Sequence, residues 1–330
     1  MDRIIRFKKK PSIISAYTVC GPKESQGNLA KYIDQKICDD YDNQPSFELA
    51  ERKMLTCAID RAVRKSAVEK SEIGAYIGGD LLNQIISSSF AAREFVFPFL
   101  GVYNACATMV ESMIVGGILV DGGYINNVVC ATCSHFSTAE RQYRFPVEQG
   151  TTRPAQSQWT VTGAGANVIS NKLGAIRIIS AVIGRVVDYG VIDANNMGAA
   201  MAPAAADTLY DFFDCSGKKE KEYDLIITGD LGALGSRILK DLLLKKGIDI
   251  SFNHVDCGEL IYNIDEEEYQ GGSGAGCSAI VFNSYIYKKM VKGEYKRILL
   301  VTTGALLSTT STQQGESIPG IAHLIEIVAE

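Results

Sequence analysis

Gly101-Val102-Tyr103-Asn104-Ala105-Cys106-Ala107-Thr108 sets one thiol behind an opening glycine, and an apolar-rich run from Met109 to Val120 follows. The pattern predicts a loop that delivers Cys106 to the first turn of a buried helix. The N–H groups and partial positive charge of a helix N-terminus lower a thiol's pKa and favour nearby anions. Two functions fit such a place. One is a catalytic cysteine; the other is an anion-binding site with an inert cysteine in its floor.

Working outward, the chain repeats itself. Ile13-Ile14-Ser15-Ala16 returns as Ile178-Ile179-Ser180-Ala181, and Ile77-Gly78-Gly79-Asp80-Leu81 returns as Ile227-Thr228-Gly229-Asp230-Leu231. Cys106 lies opposite Cys277, each followed by a helical stretch closing on a glycine, Gly122 and Gly293. Residues 124–137 then run opposite 295–308 without a gap. Three collinear blocks over most of the chain predict two similar halves, residues 1–172 and 173–330.

Each half reads alike. A strand (12–19; 175–182) leads to a helix (47–66; 199–213). A strand into a Gly-Asp turn follows (75–77; 225–227), then the cysteine-led helix and a buried apolar strand (128–131; 298–301). This alternation implies a mainly parallel sheet covered by helices. Two such halves give a duplicated α/β fold, a five-layer α/β/α/β/α sandwich with pseudo-twofold symmetry.

At 330 residues and 46% hydrophobic, the chain can bury a large core. A net charge of −5 and a pI near 5.4 argue against nucleic acid as a partner. Nine scattered cysteines, an odd number, read as reduced thiols rather than a disulfide framework. Cys130 and Cys133 read as strand-end residues, since no second pair or histidine ladder completes a metal site. No apolar run is long enough to span a bilayer. Arg3, Arg6 and Lys8 to Lys10 resemble the start of a signal peptide, but no apolar core or cleavage site follows. The reading is a soluble protein that would meet a membrane through a partner or through its basic tip.

The duplicated halves, Cys106 at the nucleophile position, and Thr160-Val161-Thr162-Gly163-Ala164-Gly165-Ala166 together resemble the thiolase superfamily, which includes the ketoacyl-synthase III enzymes. That resemblance implies the thiolase-like fold over nearly the whole chain. It also implies that catalysis would need two further groups, two His or a His and an Asn, to stabilise a carbanion and an oxyanion. The matching turns here are Gly229-Asp230-Leu231-Gly232 and, approximately, Gly271-Gly272-Ser273-Gly274, and neither holds His or Asn. His254 and Asn253 fall between them, in a segment that reads as a strand. Condensation is therefore not the expected activity.

Further segments resemble the stage V sporulation protein AD family. They are Gly101–Thr108, Ser134-His135, Gln142-Tyr143-Arg144-Phe145-Pro146, Gln158–Ala166 and Gly271–Ser278. This resemblance implies a non-enzymatic component of the spore channel that moves dipicolinic acid in sporulation and germination. The implied ligand is dipicolinic acid (pyridine-2,6-dicarboxylate), alone or as its calcium chelate, with no other cofactor. The implied partners are the membrane proteins of the same channel complex at the inner spore membrane, and thiolase folds commonly form homodimers.

A flat aromatic dianion needs convergent donors, a planar cation and an apolar slot. The candidate ligand residues are Cys106 and Asn104 in the cysteine loop, His135 at the strand end, and Arg144 and Arg141 on the following loop. Each has a plainer reading: Cys106 as a core thiol, His135 as a turn cap, Arg144 as the partner of Glu140 or Glu148. Trp159 reads as packing, Asp80 and Asp230 as caps of the helices after them, and Gly271–Gly276 as tight helix–sheet packing. Two other functions stay open, a Cys106-dependent acyltransferase and a ligand-free scaffold of the channel.

Overall fold

The computed structural model describes residues 3–144, 147–263 and 269–330. Ten strands carry the architecture. In the first half they are β1 (Ser12–Cys20), β2 (Ile73–Gly79), β3 (Phe99–Gly101), β4 (Asn127–Ser134) and β5 (Gly163–Ser170). In the second they are β6 (Ile176–Val182), β7 (Leu225–Thr228), β8 (His254–Asp256), β9 (Arg297–Ala305) and β10 (Gly320–Ala329).

The first five run β3-β2-β4-β5-β1 across their sheet, and the second five run β8-β7-β9-β10-β6. The two orders are the same. Where β1 meets β6 the contact is one antiparallel pair, Ser12 with Arg177. The sequence repeat is thus a repeat of topology.

Every residue of β4 and β5 is buried, because helices cover both faces. That explains why residues 128–131 of β4 read as an unbroken apolar run rather than an alternating one. Alternation still sorts their side chains into layers. Val128 and Cys130 point to the central layer with Ile298 and Leu300 of β9. Val129 and Ala131 point outward to α1 (Phe47–Lys65), while Leu299 and Val301 point outward to α4 (Met197–Ser216). Between the sheets lie α2 (Thr108–Asp121) and α6 (Ala275–Val281). The remaining helices used below are α3 (Phe136–Tyr143) and α5 (Gly232–Leu244).

Local signals place these helices where the sequence expects them. Ser46 caps α1 by accepting from Leu49 N, and Met54, Leu55, Ala58, Ile59, Ala62 and Val63 form its buried stripe. The second-half helix begins at Asn196, which accepts from Ala199 N, and runs further in both directions than 199–213. Among the described residues no helix is long and apolar enough to cross a membrane.

One buried acid ties α1 to the site. Glu51 accepts from Thr138 Oγ1 at 2.8 Å and from Cys133 Sγ at 3.4 Å. Burial, then the Asp80 charge, pushes its pKa up to about 8. The folded value exceeds the unfolded one, so the stability from holding this proton is complete below the unfolded pKa. It is lost as pH rises toward 8. Glu51→Gln has no proton to lose. Its Tm gain over the parent is expected to be about 2–4 °C at pH 8 and smaller at pH 5, read by thermal melts.

Candidate functional site

Parallel strands β2 and β4 and their counterparts β7 and β9 end on one side of the molecule, and the site lies there. Ala105 takes a left-handed turn (φ 50°) that brings Cys106 in ahead of α2. Thr108 Oγ1 donates to Ala105 O at 2.7 Å and accepts from Asn104 N at 3.1 Å. Thr302 Oγ1 of β9 donates to Ala107 O at 2.9 Å, fixing the loop to the other half.

The expected place of Cys106 in the helix's first turn is corrected. Cys106 precedes the helix instead of lying in its first turn, and it is buried. Burial, followed by the charge of Asp230, raises its pKa well above the ordinary thiol value. Asp230 is itself buried, with its pKa raised by burial. Its Oδ2 accepts from Ser273 Oγ (3.0 Å) and Gly274 N (3.1 Å), and its Oδ1 from Thr303 Oγ1 (2.8 Å). Ser273 Oγ also sits 4.0 Å from Cys106 Sγ.

Asp230 and Ser273 lie in the two turns, Gly229–Gly232 and Gly271–Gly274, that the resemblance matches, the second approximately, to the turns holding His and Asn in condensing enzymes. A carboxylate beside a buried thiol opposes loss of the thiol proton, where an imidazolium would favour it. Cys106 is expected to react slowly with iodoacetamide, with no rate inflection between pH 6 and 9. Asp230→Asn removes the opposing charge, so labelling of Cys106 is expected to speed up by about tenfold, as a pKa one unit lower would give. Peptide mapping of the labelled chain checks both.

The repeated aspartates have parted company. Asp80 accepts from Leu82 N (2.9 Å) and Ser88 N (2.7 Å), holding the turn and helix after it as expected. Asp230 does not cap α5, and the expected cap is corrected. Asp256 does that work, accepting from Leu231 N and Gly232 N at 2.9 Å each, and from Gly258 N at 2.9 Å. With Asp256 on those donors, Asp230 is free to turn toward Cys106.

Two cavities open here. The inner one is ≈ 40 Å³ and is walled by Leu81, Ala105, Ala139, Met197 and Leu307, with Cys106, Tyr143 and Ser273 as polar members. The outer groove is ≈ 410 Å³, lined by Phe136, Glu140, Arg153, Trp159 and Asn195 among others. Arg144 lines both. It donates through Nη1 to Glu140 Oε1, the oxygen that also accepts from Arg153 Nη1 at 2.7 Å. Phe136 and Trp159 stack at 3.8 Å, with the Arg153 guanidinium 5.1 Å from the Trp159 ring centre. Trp159 thus packs, as the sequence implied, but on the groove wall.

The other candidates lie elsewhere. His135 is buried, with Nδ1 accepting from Ser137 N (3.2 Å) and Nε2 donating to Asp40 O (2.8 Å). Both ring nitrogens are occupied, so His135 caps α3 and has no free donor for a ligand. Arg141 pairs with Glu48 (2.8 Å) and Glu148 (3.7 Å) and lines neither cavity. Asn104 bridges to Cys106 within the loop and also lines neither. Phe145 and Pro146, part of the family-like segment, lie outside the described residues. His254 is on strand β8 and bonds Thr228 Oγ1 at 3.0 Å.

Sequence reasoning gave Glu140 as a partner of Arg144, which the structure bears out, and missed Arg153 and Phe136. No local pattern marks them, since they meet only when residues 147–158 fold back over α3. The glycines read correctly as packing. A Cβ on Gly274 (φ 108°) would lie 2.7 Å from Ser134 Oγ, and one on Gly276 the same distance from Gly163 O.

The fold is similar to that of 3-oxoacyl-[acyl-carrier-protein] synthase III from Aquifex aeolicus VF5 (TM-score 0.61, 13% identity). The match covers 96% of this chain and 99% of that one. It is also similar to cerulenin-bound OleA of Xanthomonas campestris (TM-score 0.63, 14% identity, 98% of each chain). At such identities these likenesses concern the fold. In sequence, the chain is 45% identical to stage V sporulation protein AD of Bacillus subtilis (strain 168) over 317 residues, 96% of this chain and 94% of that protein. Residues 1–328 match the family described as Stage V sporulation protein AD (SpoVAD). The family match over residues 1–328 and the 45% identity over nearly the whole chain place this chain in the stage V sporulation protein AD family.

Proposed function

We propose that the chain is a non-enzymatic receptor for dipicolinic acid, working with the channel that moves this ligand in sporulation and germination. The observation that carries the reading is Arg144. It lines both the inner cavity and the outer groove, beside Arg153 and a stacked aromatic pair, so a planar cation meets an apolar wall. The groove has the volume for a flat ring, and the inner cavity as it stands does not. One carboxylate bonds Arg144, the ring lies against Phe136 and Trp159, and Cys106 forms part of the floor beneath. A thiol held protonated beside Asp230 supports a receptor over an acyltransferase.

Calcium would enter as the ligand's own chelate, since among the described residues no three His, Cys, Asp or Glu side chains cluster to hold a metal. The channel's membrane proteins are the proposed partners, at the inner spore membrane, with a homodimer as the proposed assembly. Thermal melts in dipicolinic acid, with and without calcium, test the ligand, with benzoate as the single-carboxylate control. A ligand bound to the folded chain at 100 times its Kd stabilises by about 2.7 kcal/mol. A saturable Tm rise from dipicolinic acid and none from benzoate is expected. No rise from either favours a scaffold, and an acyl adduct on Cys106 after incubation with an acyl thioester favours a transferase.

A further inference from the structure

Glu140 already occupies the place that a ligand carboxylate would take. It is buried, and its Oε1 alone accepts from both Arg144 and Arg153. With both bonds on one oxygen, neither guanidinium makes the two-pronged pair that gives arginine its strength toward carboxylates. Arg153 donates its Nη2 to Gln158 O, and its Nε is buried without a partner among the described residues. Glu140 is the carboxylate hydrogen-bonded to both guanidiniums, while Asp193 on the same side is near enough to Arg144 to feel its charge.

Such an arrangement solves a folding problem. Two half-buried arginines side by side without a carboxylate would repel each other and lack a charged acceptor. Glu140 removes most of that repulsion while the site is empty, yet it satisfies neither arginine fully.

Resting on the ligand reading above, we infer that Glu140 is a built-in competitor for the ligand. An incoming aromatic dicarboxylate takes at least one of Arg144 and Arg153 from Glu140 Oε1 and pairs with it two-pronged, while Glu140 keeps the other. The exchange is carboxylate for carboxylate, so no arginine is left unpaired at any stage. It also sets specificity. A lone carboxylate must displace Glu140 and gains little, whereas a second carboxylate on the same rigid ring reaches donors that Glu140 leaves unused.

The test is calorimetric titration of the whole chain with dipicolinic acid and with benzoate, comparing the parent, Glu140→Gln, Glu140→Asp and Glu148→Gln. Glu140→Gln removes the competing charge, so dipicolinate is expected to bind about tenfold more tightly, equivalent to about 1.4 kcal/mol. Its preference over benzoate should narrow. Glu148→Gln removes a carboxylate of the same region that pairs with Arg141 instead, and is expected to change nothing. A folded Glu140→Gln chain that binds no tighter than the parent overturns the exchange. Should Glu140→Gln fail to fold, Glu140→Asp decides. Its shorter side chain cannot hold both arginines, so affinity should rise severalfold, and no rise overturns the inference. A flat titration of the parent chain removes the ligand reading itself, and the exchange with it.

Discussion

Arg144→Ala is expected to weaken dipicolinate binding by about 10- to 100-fold, the loss of a charge-assisted hydrogen bond worth about 1.5–3 kcal/mol. The reason is position. Arg144 lines both cavities, and its guanidinium is held in place by Glu140 at the end of α3. Arg141, three residues earlier, makes the informative comparison. It is nearly half exposed and pairs with Glu48 and Glu148 on the outside of the molecule. Arg141→Ala is expected to leave affinity within about twofold, as exposed ion pairs contribute little. His135→Ala should instead lower Tm, because it removes the acceptor for Ser137 N and the donor to Asp40 O. Calorimetry and thermal melts on the three variants separate these outcomes. Equal binding by Arg144→Ala and the parent, both folded, would remove Arg144 from the site.

Gly304→Ala is the second large effect, and it comes from the opposite half of the chain. Gly304 lies near the end of β9, and a Cβ there would sit 2.3 Å from Asn104 O and 3.3 Å from Ala107 N. Those atoms are backbone of the cysteine loop, so no side chain can swing aside. Relief requires the loop to move away from β9, straining the Thr302 Oγ1 bond to Ala107 O. The expected cost is about 1–3 kcal/mol, typical of overpacking. A fall in Tm of several degrees follows, together with weaker dipicolinate binding, because Ala105 and Cys106 wall the inner cavity. Melts and calorimetry read the two effects. An unchanged Tm would mean that the loop is softer than its contacts imply.

These two variants show why the fold was legible in the sequence and the site only partly so. Strands buried on both faces must be apolar along their length, and β4 and β9 advertise themselves for that reason. The repeat then copies one topology twice, so each half checks the other. The site obeys no such rule. Asp80 and Asp230 occupy equivalent turns and read alike, yet only a third residue, Asp256, decides that one holds its own turn and the other faces a thiol. His135 reads as a ligand donor until Asp40 O and Ser137 N are seen to use both its nitrogens. Arg153 gains meaning only when Glu140 is found between it and Arg144. Periodicity reports which face is buried, and it is silent on which buried polar groups meet.

Cys106 makes the same point in chemical terms. Its place before an apolar helix fits a nucleophile or an inert thiol in an anion site, and the resemblance puts it at the nucleophile position without the His and Asn that condensation needs. Its neighbours favour the inert thiol, because burial and then the Asp230 charge hold the proton on Cys106.

The most direct measurement is a calorimetric titration of the Cys106→Ala chain beside the parent, with dipicolinic acid as ligand and benzoate as control. The expected result is saturable dipicolinate binding by both chains, within about threefold of each other, since loss of one wall contact is worth less than about 1 kcal/mol. Benzoate should not reproduce it. Binding that vanishes with the thiol, or a parent chain that binds no dipicolinate at all, would contradict a receptor in which Arg144 carries recognition and Cys106 is only part of the floor.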